Sequence, residues 1–165
     1  MRRFLRLRAQ IALNMAVFAG YALVAAAVTW PLVRQLDSHL FGDFLTDAPQ
    51  TARHIWWIHH ALVSGESIFF QPTFAYPDGL PGAWLWANPL EYFPGWLLLF
   101  AVSLNAATNL TMLFHVTMNG YTMYLLLHEL TGKKRIVALF GGLVFCMYPA
   151  VQSRIYGGHA GVVAL

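Results

Sequence analysis

Charged residues are scarce in this sequence. Only 10% of its 165 residues are Asp, Glu, Lys or Arg, whereas a soluble domain carries about 25%. Hydrophobic residues make up 58% of the chain, and the mean hydropathy is +0.54. This composition excludes an ordinary soluble domain and predicts an integral membrane protein.

Cysteine is almost absent as well. The single cysteine, Cys146, lies in an apolar run, so it cannot form a disulfide within this chain and does not indicate the compartment. We expect it to be a small buried core residue. Neither HExxH nor CxxC occurs, and the sequence therefore lacks the ligand spacing of common zinc sites.

The few charges are segregated along the chain. Basic residues cluster in 1–10 and in 131–135, while six of the seven acidic residues lie between Asp37 and Glu91. Because basic residues resist translocation, both clusters are predicted to be cytoplasmic and the acidic stretch to lie outside. The competing interpretation, a basic patch that binds nucleic acid, is disfavoured because neither cluster lies in a predicted soluble fold.

Residues 11–33 carry no charge and form the first predicted membrane span. At ~1.5 Å per residue a helix of this length crosses a hydrocarbon core of ~30 Å, and Trp30 and Pro31 close it at the interface. A cleaved signal peptide is the alternative, given the Arg-rich start and the run Ala25-Ala26-Ala27. The apolar segment continues past these alanines, which favours an uncleaved signal anchor.

Two later segments, 106–128 and 136–150, are predicted to cross as well. The segment 84–104 is also apolar, but it is interrupted by prolines and by Glu91. If both basic clusters are cytoplasmic, an even number of crossings lies between them, and the first span together with 106–128 supplies it. We therefore expect 84–104 to lie on the outer side without crossing.

The expected outer loop, residues 34–105, contains a helix of its own. Thr46-Asp47-Ala48-Pro49 is typical of a helix start, with a capping side chain followed by proline in the first turn. The helix is predicted over 47–64 and suits the membrane surface better than a span. Its predicted apolar face comprises Ala48, Ala52, Ile55, His59 and Leu62. Prolines and glycines between 72 and 82 predict turns and extended chain after it.

Together these segments predict an all-α, polytopic helical membrane protein. It has three transmembrane helices and outer juxtamembrane helices at 47–64 and 84–104. We expect a multi-pass protein of the cytoplasmic membrane, with a cytoplasmic amino terminus and membrane lipids as partners. Residues 160–165 begin a further apolar run that stops, so residues 1–165 are expected to be the amino-terminal part of a single transmembrane domain in a longer protein.

Four stretches, taken in their order and spacing, are similar to a known family. The first stretch comprises Gly42-Asp43, Thr46-Asp47, His54-Ile55-Trp56-Trp57 and Tyr76-Pro77-Asp78-Gly79. The others are Leu130 to Lys134, Ala138 to Pro149, and Arg154 with Gly158-His159. The chain resembles GT-C type membrane glycosyltransferases, and more closely the bacterial membrane proteins related to dolichyl-phosphate-mannose-protein mannosyltransferases.

The resemblance implies a transferase that takes a sugar from a polyprenyl-phosphate-linked donor and passes it to an acceptor outside the cytoplasmic membrane. In such enzymes an acidic residue of the first outer loop acts as catalytic base or belongs to a metal site. The resemblance gives this role to Asp47 and secondly to Asp43. Further spans and a carboxy-terminal region usual in the family are not among these residues, so we expect activity only from a longer chain.

The residue types themselves suit this chemistry. Sugar transfer from a lipid phosphate needs a base for the acceptor hydroxyl and positive groups near the leaving phosphate. Asp47 is a candidate for the first role, with simple helix capping as an equally open interpretation. Arg154 and His159 suit the second, with Gly157-Gly158 allowing close approach of the backbone. An arginine that contacts lipid headgroups is the alternative for Arg154.

Glu91 and His54 are further candidates for substrate binding. Glu91 lies in an apolar segment and is costly there unless it is paired, for which Arg53 or Arg154 is a possible partner. His115 and Asn119 are four residues apart in a predicted span, and we expect them to form hydrogen bonds between helices.

A divalent cation is a further possibility. Asp43 and Asp47, together with His39 or His54, are candidate ligands. Their oxygen donors suit Mg²⁺ or Mn²⁺, and an added imidazole would admit Zn²⁺. The spacing of these residues matches no established metal motif, so the sequence leaves the cofactor open.

Two other classes of function stay open. A transporter would carry charged residues within its spans, whereas the acidic residues here are concentrated in the outer loop. A non-catalytic subunit of a membrane assembly would keep the same loop without the activity.

Overall fold

The computed structural model of the chain describes residues 2–43, 45–83, 88–159 and 163. These residues are mostly helical, as the sequence predicts. The helices are α1 (Arg2–Val28), α2 (Ala48–Ser64), α3 (Pro89–Leu98), α4 (Leu104–Leu130), α5 (Arg135–Cys146) and α6 (Pro149–Tyr156), with a 3₁₀ turn at Leu32–Arg34. The strands β1 (Phe70–Gln71) and β2 (Leu80–Pro81) form an antiparallel pair with Phe70 opposite Pro81. This hairpin is the departure from an all-α chain.

Two described stretches are long and apolar enough to cross a membrane, Leu7–Val28 and Arg135–Tyr156. The second contains the predicted span 136–150, but it is interrupted at Met147-Tyr148, between α5 and α6. The first ends with α1 at Val28, five residues before the end of the predicted span 11–33. Pro31 explains the end of the helix, because proline supplies no N–H to a helix and disfavours helical backbone in the residue before it.

α4 is the central helix of the structure. It begins at Ser103, whose hydroxyl accepts a hydrogen bond from the Ala106 N–H at 3.2 Å, and it packs against α1, α2, α3 and α5. Its buried surface carries polar side chains, namely Thr108, Asn109, Thr111, His115, Thr117 and Asn119. The three threonines donate to carbonyls of the preceding turn of the same helix. These polar groups lower the hydropathy of α4 without being exposed.

Small residues allow α1, α4 and α5 to approach one another around Tyr21. A Cβ added at Gly120 on α4 would lie 2.6 Å from the Tyr21 ring, and one at Gly142 on α5 would meet the Tyr21 hydroxyl. That hydroxyl donates to the Leu139 carbonyl at 2.9 Å. Close contact at glycine is the usual means by which helices associate in a membrane, where lipid removes the hydrophobic driving force.

The predicted helix over 47–64 is confirmed as α2, which ends at Gly65 with φ of +70°. Its predicted apolar face is partly wrong. Ala48, Ala52 and Ile55 are buried as expected, but Leu62 is 52% exposed, and Ile58 and Ala61 complete the buried surface instead. α3 and α4 cover this side of the helix, and their position could not be read from α2 alone.

The hairpin is held against α2 by two consecutive residues of that helix. The Arg53 guanidinium donates to the Thr73 carbonyl at 2.9 Å and stacks over the Phe74 ring at 4.9 Å. His54 lies beside Gln71 of β1, with 3.5 Å between His54 Nδ1 and Gln71 Nε2. The extended chain predicted between residues 72 and 82 is therefore folded back onto α2.

A single side chain of α4 fixes the segment that follows the first helix. Asn109 is fully buried, and its amide nitrogen donates to the Leu36 and His39 carbonyls at 2.9 and 2.6 Å. Its amide oxygen accepts the Phe41 N–H at 2.9 Å. Nearby, the Asp37 carboxylate accepts from the Ser103 hydroxyl at 2.6 Å. Residues 36–41 are thereby attached to the start of α4.

Asn109→Ala should be among the most destabilising single changes in this chain. It removes three hydrogen bonds and leaves the buried Phe41 N–H without this partner, and an unsatisfied buried group costs about 1–3 kcal/mol. The measurement is thermal unfolding of the detergent-solubilised protein, followed by tryptophan fluorescence. Asn105→Ala is the matched control, because Asn105 donates a single bond to the Asp37 carbonyl. Equal losses in the two variants would contradict the role assigned to Asn109.

Candidate functional site

Two segments far apart in sequence meet beside the start of α2. The Asp43 N–H donates to the Tyr156 carbonyl at 2.9 Å, and the Tyr156 hydroxyl donates back to Asp43 Oδ2 at 3.0 Å. Residues 42–43 and 45–47 therefore form one structure with turn 156–159, to which we refer as the loop pair.

Glycine at 158 makes this contact possible. Gly158 has φ of +71°, and a Cβ there would lie 2.5 Å from Thr46 Oγ1 and 3.0 Å from the Ala48 nitrogen. Gly157-Gly158 are predicted from the sequence to allow close backbone approach to a phosphate. In the structure Gly158 approaches the start of α2 instead. Leu45 adds strain to the same loop, because its φ of +62° is costly for a residue with a side chain.

The loop pair brings together two predicted site residues, Asp47 and His159. His159 Nδ1 lies 2.7 Å from Asp47 Oδ2, and the two side chains are 38% and 60% exposed. Since a carboxylate only accepts, the imidazole donates this hydrogen bond. The expectation that Asp47 caps the helix with its side chain is wrong: the residue occupies the N-cap position, but its carboxylate makes no capping bond and is turned toward His159.

Arg154 contributes to this geometry through its backbone. The His159 N–H donates to the Arg154 carbonyl at 2.9 Å and so fixes the turn that carries the imidazole. The Arg154 side chain is exposed, and it forms no salt bridge within the part of the chain that the structure describes. Its predicted binding of a phosphate stays a prediction.

Glu91 lies in the first turn of α3 and is buried. Its oxygens accept from the Thr51 hydroxyl at 2.8 Å and from the Asn88 amide at 3.3 Å. The prediction of an arginine partner is wrong for the described residues, since Arg53 holds the hairpin and these neutral groups surround the carboxyl. Burial raises the pKa of Glu91, and the negative charge of Asp47 raises this pKa further, whereas the hydrogen bonds lower it.

His54 is 1% exposed and lies beneath the hairpin. Its ring stacks on Phe74 at 6.0 Å and meets the Tyr92 ring edge-on at 5.3 Å. Burial, and to a lesser degree the charge of Arg53, lower the pKa of His54 to about 4. The neutral ring supports the hairpin in this position, and its predicted contact with substrate stays a prediction.

The described residues do not bring further ligands together for the predicted cation. Within residues 2–43, 45–83, 88–159 and 163, no group of three or more His, Cys, Asp and Glu side chains is placed to hold a metal ion. Asp47 is paired with His159, and Asp43 accepts from Tyr156. His39 Nδ1 instead lies 2.9 Å from its neighbour Ser38 Oγ. We therefore assign no residue to a cation.

Two residues that shape the site were not predicted from the sequence. Tyr156 joins the two segments of the loop pair, and Thr51 connects the first turn of α2 to Glu91. The position of Thr51, four residues after Asp47, indicates that the two share a helix face, but its partner lies on another helix. Nothing in the sequence indicated that Tyr156 joins these segments, apart from its position between Arg154 and Gly157.

A cavity of about 700 Å³ adjoins the loop pair. It lies between residues 28–42 and α6, and its lining includes Gly42 and Tyr156. The cavity is comparable in size to the ligand-binding pockets of other proteins, which enclose about 300–1,000 Å³. The cavity thus offers space for a bound molecule beside Gly42 and Tyr156 of the loop pair, whereas Asp47 and His159 are not among its lining residues.

The lowered pKa of His54 predicts a specific pH dependence of stability. Between the ordinary pKa of 6.5 and the folded value of about 4, the unfolded chain binds a proton that the folded chain does not. The free energy of unfolding should therefore fall as the pH is lowered through this interval, by up to about 3 kcal/mol. His54→Gln should remove this part of the pH dependence. The measurement is reversible denaturation in mixed micelles across this interval.

Gln50→Ala is the control for His54→Gln. Gln50 Nε2 lies 3.5 Å from His54 Nε2, so the change disturbs the same ring without removing a titrating group. It should keep the wild-type pH dependence. Parallel curves for wild type and His54→Gln would show that His54 is not a buried neutral base.

Comparison with known proteins identifies no relative of this chain. No protein-family model, curated protein or solved structure matches the chain. Function is therefore inferred from the contacts described above together with the resemblance of the short sequence motifs.

Proposed function

We propose that this chain acts in a membrane glycosyltransferase of the GT-C type. The enzyme would transfer a sugar from a polyprenyl-phosphate-linked donor to an acceptor on the outer side of the cytoplasmic membrane. The observation that carries the proposal is the exposed hydrogen bond of 2.7 Å between Asp47 and His159. These residues belong to two of the motifs that resemble the family, and the fold brings them together across more than a hundred residues of sequence.

Asp47 is the proposed general base. In the transfer step the acceptor oxygen forms a bond to the anomeric carbon of the sugar and gives its proton to the carboxylate. The bond between that carbon and the phosphate oxygen breaks, and polyprenyl phosphate leaves with the electron pair. The His159 N–H orients the carboxylate, as a second group commonly orients a base in acid–base catalysis.

The leaving phosphate needs positive charge close to it. Arg154 is a candidate because it lies two residues before turn 156–159 of the loop pair and is exposed. The adjoining cavity lies on the same side of the structure and gives room for a substrate next to Gly42. These positions support the assignment of donor binding to this end of the molecule.

The proposed topology has three crossings, formed by α1, α4 and residues 136–150, which comprise most of α5 and the start of α6. α4 is ~40 Å long, which is sufficient to cross, and most of the polar residues along it are buried within the protein, as polar residues of membrane helices usually are. The basic turn 131–134 lies beside Gln10 and Asn14 of α1, while the acidic loop meets turn 156–159 at the other end of the chain's long helices. The separation of basic and acidic residues supports a cytoplasmic amino terminus.

Asp47→Asn is the decisive substitution for the proposed activity. The asparagine still accepts the hydrogen bond from His159, so the loop pair should survive, but it cannot accept a proton. Loss of a general base typically lowers the rate about 10²–10⁴-fold. The assay is sugar transfer from a polyprenyl-phosphate sugar by the protein expressed from its full reading frame, reconstituted in liposomes.

Two control variants separate the roles within the loop pair. Asp43→Asn should have a smaller effect, since its carboxylate is bonded to Tyr156 and an amide oxygen can accept the same bond. His159→Asn should lower the rate less than Asp47→Asn does. If a folded Asp47→Asn protein keeps wild-type turnover, the proposed base is wrong, and a larger loss in His159→Asn would move that role to the imidazole.

The crossing by α4 is tested with one cysteine shortly before the helix and one at its last residue, each in a Cys146→Ser background. Ala101 and Leu130 are both exposed and lie on opposite sides of the proposed span. Ala101→Cys should react with an impermeant thiol reagent in intact cells, whereas Leu130→Cys should react only after permeabilisation. Labelling of both positions from the same side would exclude a crossing by α4.

A further inference from the structure

A second cleft, of about 900 Å³, lies between the amino-terminal half of α1 and the turn that joins α4 to α5. α1 contributes Gln10 and Asn14, whose amides are hydrogen-bonded at 3.3 Å. This cleft is separate from the loop pair and takes no part in the proposed sugar transfer.

The cleft is lined with positive charge. Lys133, Lys134 and Arg135 line it together, and Glu129 is the only carboxylate among its lining residues. Glu129 Oε1 lies 3.6 Å from His128 Nδ1, so this carboxylate lies beside an imidazole. The charge balance therefore favours an anionic ligand.

The backbone holds the basic residues in place. Lys133 follows Gly132 in the left-handed region, with φ of +69°, and its N–H donates to the His128 carbonyl at 2.7 Å. α5 then begins at Arg135 without a side-chain cap from Lys134. Free N–H groups and the helix dipole at such a start favour an anion, in agreement with the cationic side chains around it.

The ligand must also suit an apolar setting. Gln10 and Asn14 lie on the stretch Leu7–Val28, which is apolar enough to cross a membrane, and Leu125 and Ile136 complete part of the lining. A molecule that reaches the amides of α1 and the basic turn at once extends from the membrane surface into its apolar part. A lipid with a charged headgroup has this character.

We propose that this cleft binds one anionic phospholipid of the inner leaflet. Its phosphate contacts the basic residues 133–135, the polar part of its headgroup bonds to the Gln10 and Asn14 amides, and an acyl chain follows Leu125 and Ile136. The proposal rests on the membrane placement of α1 and α4 and is independent of the sugar-transfer activity.

The test uses the protein expressed from its full reading frame, purified in a mild detergent and freed of lipid. Phosphatidylglycerol and phosphatidylcholine are titrated separately, and bound lipid is counted by native mass spectrometry. We expect phosphatidylglycerol to bind at least about fivefold more tightly, because one cation beside an anionic headgroup changes affinity by roughly this factor. Equal binding of the two lipids would overturn the proposal.

Lys134→Gln and Arg8→Gln form a matched pair of variants. Each removes one positive charge from the same end of the molecule, but Arg8 is exposed and does not line the cleft. Lys134→Gln should weaken binding of phosphatidylglycerol roughly fivefold and leave phosphatidylcholine unchanged, and Arg8→Gln should have little effect. Equal weakening in both would indicate diffuse attraction instead of a site and would overturn the proposal.

Two further measurements distinguish a lipid site from a free-anion site and test the membrane placement. Inorganic phosphate added in excess should not displace the lipid, and displacement would assign the cleft to a free anion. The wild-type protein should also float with phosphatidylcholine vesicles. Failure to float would remove the membrane placement on which the proposal rests, whereas loss of sugar transfer alone would leave the lipid site intact.

Discussion

The position of the candidate site depends on the amide side chain of Asn109. Each of its hydrogen-bonding groups is directed at the backbone of residues 36–41, with two donated bonds and one accepted. The buried Phe41 N–H requires such a partner, because an unpaired buried backbone group costs about as much as a lost hydrogen bond. Gly42 follows at once, so any shift of this segment would move the loop that carries Asp47 away from turn 156–159.

The buried side of α4 is unusually polar for a central helix. Asn109 satisfies the neighbouring segment there, whereas three threonines bond to carbonyls of α4 itself. These polar residues lower its hydropathy, and the two described stretches that are long and apolar enough to cross a membrane lie before and after it in the sequence. Apolarity alone thus identifies α1 and the stretch 135–156 and overlooks α4, which packs against both.

Local signals predicted the helices well and the contacts between them poorly. Thr46-Asp47-Ala48-Pro49 and Gly65 delimit α2 because a helix start and a helix end are decided by neighbouring residues. Asp47 and His159 were each selected from the sequence, but nothing local indicated that they form a pair, or that Tyr156 joins their segments. Glu91 was recognised as costly, yet its neutral partner Thr51 lies on another helix and depends on how α2 and α3 pack.

The two carboxyl groups near the start of α2 differ in environment, and this difference follows from that packing. Glu91 is buried between α2 and α3, where desolvation and the nearby charge of Asp47 raise its pKa. Thr51 links the two acids, since its N–H donates to the Asp47 carbonyl while its hydroxyl donates to Glu91. Asp47 itself stays exposed beside His159. Placing two acids in unlike surroundings is how proteins give them separate roles, and here the packing of α2 and α3 buries one acid and leaves the other exposed.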